Sequence, residues 1–154
     1  MTSLLTRLND DMNIPIMFFA ESDAAPRIFF ANTDSIRYID IYNVSDQGVV
    51  VSGLTDAKAL AVYVREGWLF WSEYGNPSTI SRLRLADGST KEVILTDLGE
   101  VDDMAIEYET GLIYWTDYMH ETIEVAGIDG SHRKTLIWEN MANPRAIVVD
   151  ARTG

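Results

Sequence analysis

Residues 104–117 read MAIEYETGLIYWTD, and residues 60–73 read LAVYVREGWLFWSE. Their tryptophans, Trp115 and Trp71, lie 44 residues apart. Each stretch runs through a glycine, Gly111 or Gly67, into two aromatics, a hydroxyl and an acid: Tyr114-Trp115-Thr116-Asp117 in one copy, Phe70-Trp71-Ser72-Glu73 in the other. IVVDARTG at 147–154 opens a third copy. A period of roughly 40–45 residues with an aromatic-acidic signature predicts an all-β fold of propeller blades, each a four-stranded antiparallel sheet.

Outward from these stretches, short β-rich runs alternate with turn signals. Strands are expected near 28–31, 36–41, 48–52, 58–64, 68–73, 79–85, 91–95, 103–108, 112–117, 122–127, 133–138 and 145–150. Asp87-Gly88 and Asp129-Gly130 are the residue pair that favours a tight hairpin. TISRLRLADGSTKEVIL (79–95) aligns with TIEVAGIDGSHRKTLI (122–137), one residue shorter. The strands add up to about three blades over residues 26–154, an incomplete ring in which the first blade lacks its innermost strand and the 145–150 strand stands alone. Residues 1–25 read as a poorly ordered leader. Their apolar run, Ile14–Ala20, is broken by Pro15 and preceded by Asp10 and Asp11. A secretory signal needs a basic start and ~7–15 uninterrupted apolar residues.

The 154-residue chain carries 24 acidic against 12 basic residues, a net charge of −12. That balance argues against nucleic acid and anionic membrane as partners and favours a basic ligand. With no cysteine there is neither a disulfide nor a thiolate metal site. No apolar run approaches the ~18 residues of a membrane span. Asn43-Val44-Ser45 is a glycosylation sequon, whereas Pro77 disqualifies Asn76-Pro77-Ser78.

The tryptophans suit the wedge between neighbouring blades, where each ring buries on the order of 150–250 Å². Glu73 and Asp117 end their strands and need partners if buried, backbone N–H groups or an arginine of the adjacent blade. Trp138 is expected to pack on a blade edge; exposed, it would be a binding anchor. The densest charge lies in TDLGEVDDMAIEYE (96–109), whose first half reads as a loop entering an innermost strand.

Tyr-Trp-Thr-Asp, the following Asp-Gly and Pro-Arg-Ala-Ile-x-x-Asp (144–150) together resemble the YWTD repeat of the low-density-lipoprotein receptor family. Residues 122–154 are especially similar to the first extracellular propeller of the receptor-related Wnt co-receptors, and FFANTDSIRYID (29–40) resembles its opening. The resemblance implies half of a six-bladed, ligand-binding propeller at the cell surface. It implies a secreted protein or peptide ligand on the face carrying Asp56, Tyr74, Gly75, Glu100, Met119 and Arg145. Thr33 and Thr55 depart from the arginine and glutamate of the family pattern.

Two other readings stay open. The chain could be a receptor fragment without independent binding, or a half that pairs with a second copy or another half-propeller. A metal-dependent propeller hydrolase or lyase is the enzymatic rival, but it needs ligands converging from several blades. The two histidines, His120 and His132, fall on different loops of one blade, and no nucleophile triad, phosphate loop or HExxH motif is present. No enzyme activity, cofactor or metal is expected.

Overall fold

A computed structural model describes residues 26–150, apart from 87 and 89. The expected leader, the last residues of the third copy and Asp87 of the first expected hairpin lie outside the described residues. Eleven strands occur in chain order: β1 (Arg27–Asn32), β2 (Ser35–Asp40), β3 (Gln47–Ser52), β4 (Ala57–Tyr63), β5 (Trp68–Glu73), β6 (Ser78–Arg84), β7 (Glu92–Leu98), β8 (Val101–Glu107), β9 (Leu112–Asp117), β10 (Thr122–Gly127) and β11 (Lys134–Ile137). Each neighbour pair is antiparallel. The sheets are three meanders, β1-β2-β3, β4-β5-β6-β7 and β8-β9-β10-β11, hereafter blades 1, 2 and 3. No helix occurs among the described residues.

The blades stack because their second strands are apolar on both faces. Successive side chains of a strand point to opposite sides of the sheet. In β5, Leu69 and Trp71 point toward blade 1, into a cluster with Ile36, Leu54, Ala57 and Leu83. Phe70, between them, points the other way and joins Trp115, Val101, Met104 and Ile113 of blade 3. Both tryptophans and Phe70 are 0% exposed. Each tryptophan therefore fills the wedge between its own blade and the preceding one. The blades also approach along β4 and β8.

Three local expectations change. The 96–100 stretch is mostly strand: β7 runs on to Leu98, because its pairing with β6 continues through bulges to Ser78↔Leu98. The connection before β8 shrinks to residues 99–100. The Asp129-Gly130 turn is no two-residue hairpin either. The β10–β11 connection spans 128–133, with Gly130 at φ 82° and lying so close to blade 2 that a Cβ would sit 2.2 Å from the Ile94 carbonyl oxygen. Only glycine satisfies both the dihedral and the contact. Residues 145–150 form no strand, since no strand among the described residues lies beside them to build a ladder. Bonds to blade 3 hold them instead: among these, Thr116 Oγ1 donates to the Arg145 carbonyl (2.5 Å), and the Ile147 N–H donates to Asp103 Oδ2 (2.9 Å).

Candidate functional site

Antiparallel alternation sends the turns of every blade to two opposite ends. One end collects residues 33–34, 53–56, 74–77, 99–100 and 118–121. Backbone bonds lock these turns together: Leu54 N–H to the Asp34 carbonyl (2.9 Å), Ala57 N–H to Thr33 (3.1 Å), Tyr74 N–H to Asp56 (3.2 Å) and Tyr118 N–H to Glu100 (2.7 Å). The last two are the same bond in successive repeats.

The strand-ending acids build this end from beneath. Glu73 Oε2 accepts the Thr55 N–H (3.0 Å), and Asp117 Oδ2 accepts the Gly99 N–H (2.7 Å). Both satisfy a backbone donor in the turn entering their own blade, so no arginine of an adjacent blade is used. Burial pushes the Glu73 carboxyl up, but the Lys91 ammonium, the Thr55 N–H and the Trp71 indole outweigh it and hold it below the ordinary carboxylate range. The hydroxyls do a second job. Ser72 Oγ donates to the Val101 carbonyl of blade 3 (3.0 Å), as Thr116 Oγ1 does to Arg145. Position three of the motif thus ties each blade to the next inner segment.

Asp56, Tyr74, Gly75, Glu100, Met119 and Arg145 all lie at this turn end. Their charges are less free than the sequence suggests. Glu100 is bound by Lys58 of β4, and this hydrogen bond raises the Lys58 ammonium above its ordinary value against the cost of burial. Arg145 reaches Asp102 (3.1 Å) and lies 5.1 Å from the Tyr118 ring centre. Lys58 also stands 5.1 Å from the Tyr74 ring. The Asp56 carboxylate makes no hydrogen bond or ion pair among the described residues. Exposed side chains complete the surface: Met119 is 58% and Tyr74 40% accessible.

Lys58 is the site residue the sequence reading missed. Its signal was the repeat itself, since Lys58 and Asp102 occupy equivalent places with opposite charge, each paired to the following segment. Trp138 also departs from expectation. It is 64% exposed with Leu136 and Ile137 beside it, because β11 ends at Ile137 and the chain leaves the sheet there.

At the edge of this end, Asp117, His120 and Glu124 bring ligand atoms within 4.8 Å of one another. The carboxylates already have partners. Asp117 Oδ2 meets His120 Nδ1 (3.0 Å) and the Gly99 N–H, while Glu124 holds Arg133 at 2.7 and 3.1 Å. The Glu124 bond raises the Arg133 guanidinium further, against desolvation. The cation of this cluster is an arginine.

The low-density lipoprotein receptor repeat class B model matches residues 111–151. The motif, its spacing and the blade it builds therefore coincide. The chain belongs to the low-density lipoprotein receptor class B (YWTD) repeat family. It is 31% identical over 133 residues to low-density lipoprotein receptor-related protein 5 of Homo sapiens, and 30% identical over 134 residues to the Mus musculus protein of that name. Each alignment covers 85% of this chain but 8% of the receptor, so the chain spans a small part of the relatives it matches. A chain in the crystal structure of a nidogen/laminin complex superposes with a TM-score of 0.75 at 26% identity, over 81% of this chain and 49% of that one. The chain thus presents three blades of a YWTD propeller, with the turns of one end bonded to one another. Among its described residues no helix is long and apolar enough to cross a membrane.

Proposed function

We propose that this YWTD segment is an extracellular protein-binding module of the Wnt co-receptor type, and that it engages a secreted, basic protein or peptide through the turn end of Asp56, Tyr74, Gly75, Glu100, Met119 and Arg145. The observation that carries the reading is an exposed Met119 and Tyr74 at the same end as the Asp56 carboxylate, which makes no hydrogen bond or ion pair among the described residues. Apolar side chains supply contact area, and a free acid selects a cationic group. Glu100 and Asp102 are already neutralised by Lys58 and Arg145, so they act as the frame and Asp56 as the recognition charge. A binding role rather than catalysis fits the chemistry of the Asp117–His120–Glu124 cluster, whose side chains are tied to each other or to Arg133. The relatives are named receptor-related proteins, and the neighbour was solved in a nidogen/laminin complex.

The test is titration of a lysine-rich peptide, with a glutamine-substituted copy as control, monitored by fluorescence anisotropy at two salt concentrations. Asp56→Lys is expected to weaken binding and flatten its salt dependence, because an exposed charge acts over about a Debye length. Met119→Ala is expected to weaken it about fivefold or more without changing the salt slope, as loss of an apolar anchor of about 1 kcal/mol does. Equal binding of both peptides by wild type and variants would remove this end as the site.

A further inference from the structure

We infer that Asn43 is an N-glycan acceptor, and that the glycan stands at the end of the molecule opposite the proposed ligand face. Asn43 lies in the connection between β2 and β3, exposed together with Val44 and Ser45. Its side-chain oxygen accepts the Ser45 N–H at 3.3 Å, folding the sequon into an Asx turn. The backbone closes beneath it, with the Asp46 N–H on the Asn43 carbonyl (2.8 Å) and the Asn43 N–H on Asp40 Oδ1 (2.9 Å). The nucleophilic atom, Nδ2, is left over. It donates to no acceptor among the described residues. The turn is therefore ordered through its backbone while the amide points to solvent.

Its position leaves room for a large group. Residues 33–34, at the other end of β2, are bonded to the turn that carries Asp56. β2 separates the two ends, so a glycan at Asn43 projects away from Asp56, Tyr74 and Met119. It also projects away from the blade interfaces, because Asn43 belongs to neither buried cluster. Tyr42 and Val44, which flank it, are 62% and 65% exposed. The apolar face of a first sugar would cover them, removing surface that a folded domain otherwise leaves wet.

The reaction is a transfer from a polyisoprenyl-pyrophosphate-linked oligosaccharide. Asn43 Nδ2 forms a bond to C1 of the donor sugar. The C1–O bond to the pyrophosphate breaks, the pyrophosphate keeps the electron pair, and the amide loses one proton to solvent. No redox partner is required.

The site rests on the extracellular placement proposed above, and the experiment separates the two by supplying the address. The full chain is expressed in a eukaryotic cell behind a cleavable secretion signal, and the protease-protected lumenal fraction is digested with peptide N-glycosidase. One mobility step is expected to disappear on digestion. Asn43→Gln and Ser45→Ala should each lack that step before digestion, and Ser45→Thr, which keeps the hydroxyl, should retain it. A protected wild-type chain whose mobility is unchanged by the enzyme overturns the assignment. So does a step that survives in Asn43→Gln.

Discussion

Blades 2 and 3 are copies of one repeat, yet they place their charges differently. In blade 2 a single carboxylate does three jobs. Glu73 caps the Thr55 N–H, accepts the Trp71 indole N–H (3.0 Å) and neutralises Lys91. In blade 3 the work is divided. Asp117 caps the Gly99 N–H, and Glu124, directly across from Trp115, neutralises Arg133. The residue across from Trp71 is Ser81, and among the described residues neither its hydroxyl nor the Trp115 indole N–H has a hydrogen-bond partner. The shorter acid explains the rest. Aspartate draws the turn closer, so a Cβ at position 99 would lie 2.3 Å from Asp117 Oδ1. Glutamate reaches further and leaves room for Thr55. What the repeat keeps is therefore a bond to a backbone N–H and a neutralised cation. The identity of the acid is free, provided the turn residue changes with it.

The largest effect expected is at the tryptophans. Trp71→Ala and Trp115→Ala should each cost about 3–5 kcal/mol, the range for deleting a large core aromatic. Since only Trp71 also binds an acid, Trp71→Phe should cost about 0.5–1.5 kcal/mol more than Trp115→Phe. Denaturant melts measure both, and equal costs for the two phenylalanine variants would erase the distinction drawn between the blades.

A smaller contrast sits in the turns. Gly99→Ala should destabilise by about 1–3 kcal/mol, because the added methyl overlaps the Asp117 carboxylate. Thr55→Ala, at the equivalent place in blade 2, should stay within about 0.5 kcal/mol. Thermal unfolding of the pair decides it, and a tolerant Gly99→Ala would mean that the blade 3 turn can give way.

The smallest effect is one of pH. Glu73 is held below the ordinary carboxylate range in the folded protein, so the folded state binds fewer protons than the unfolded one. Its stabilisation is complete above the unfolded carboxyl value, about 4.3, and is lost as pH falls through the folded value. Glu73→Gln should therefore lower the melting temperature at neutral pH and flatten its fall on acidification. A slope identical to wild type would show that Glu73 carries no proton-linked stability.

Much of the fold was legible in the sequence. Eleven expected strands appear near their expected places, because alternation, turn residues and a 44-residue spacing all mark the same boundaries. The site was less so. The family resemblance grouped Asp56, Glu100 and Arg145 on one face. That Glu100 and Arg145 are neutralised was not legible, since Lys58 and Asp102 lie beside bulges whose positions no local pattern marks. Trp138 was misread for a related reason: an aromatic after an apolar run looks buried until it is known that the sheet has already ended.

The sequence by itself determined the repeat, the all-β class, the motif strands and the acidic excess, because each depends on residue type and spacing along the chain. Only the tertiary structure decided which face of β5 meets which blade, which acid binds which cation, and which carboxylate makes no ion pair among the described residues. Those outcomes depend on contacts between residues far apart in the chain. In blade 3 they turn on the one methylene by which aspartate falls short of glutamate.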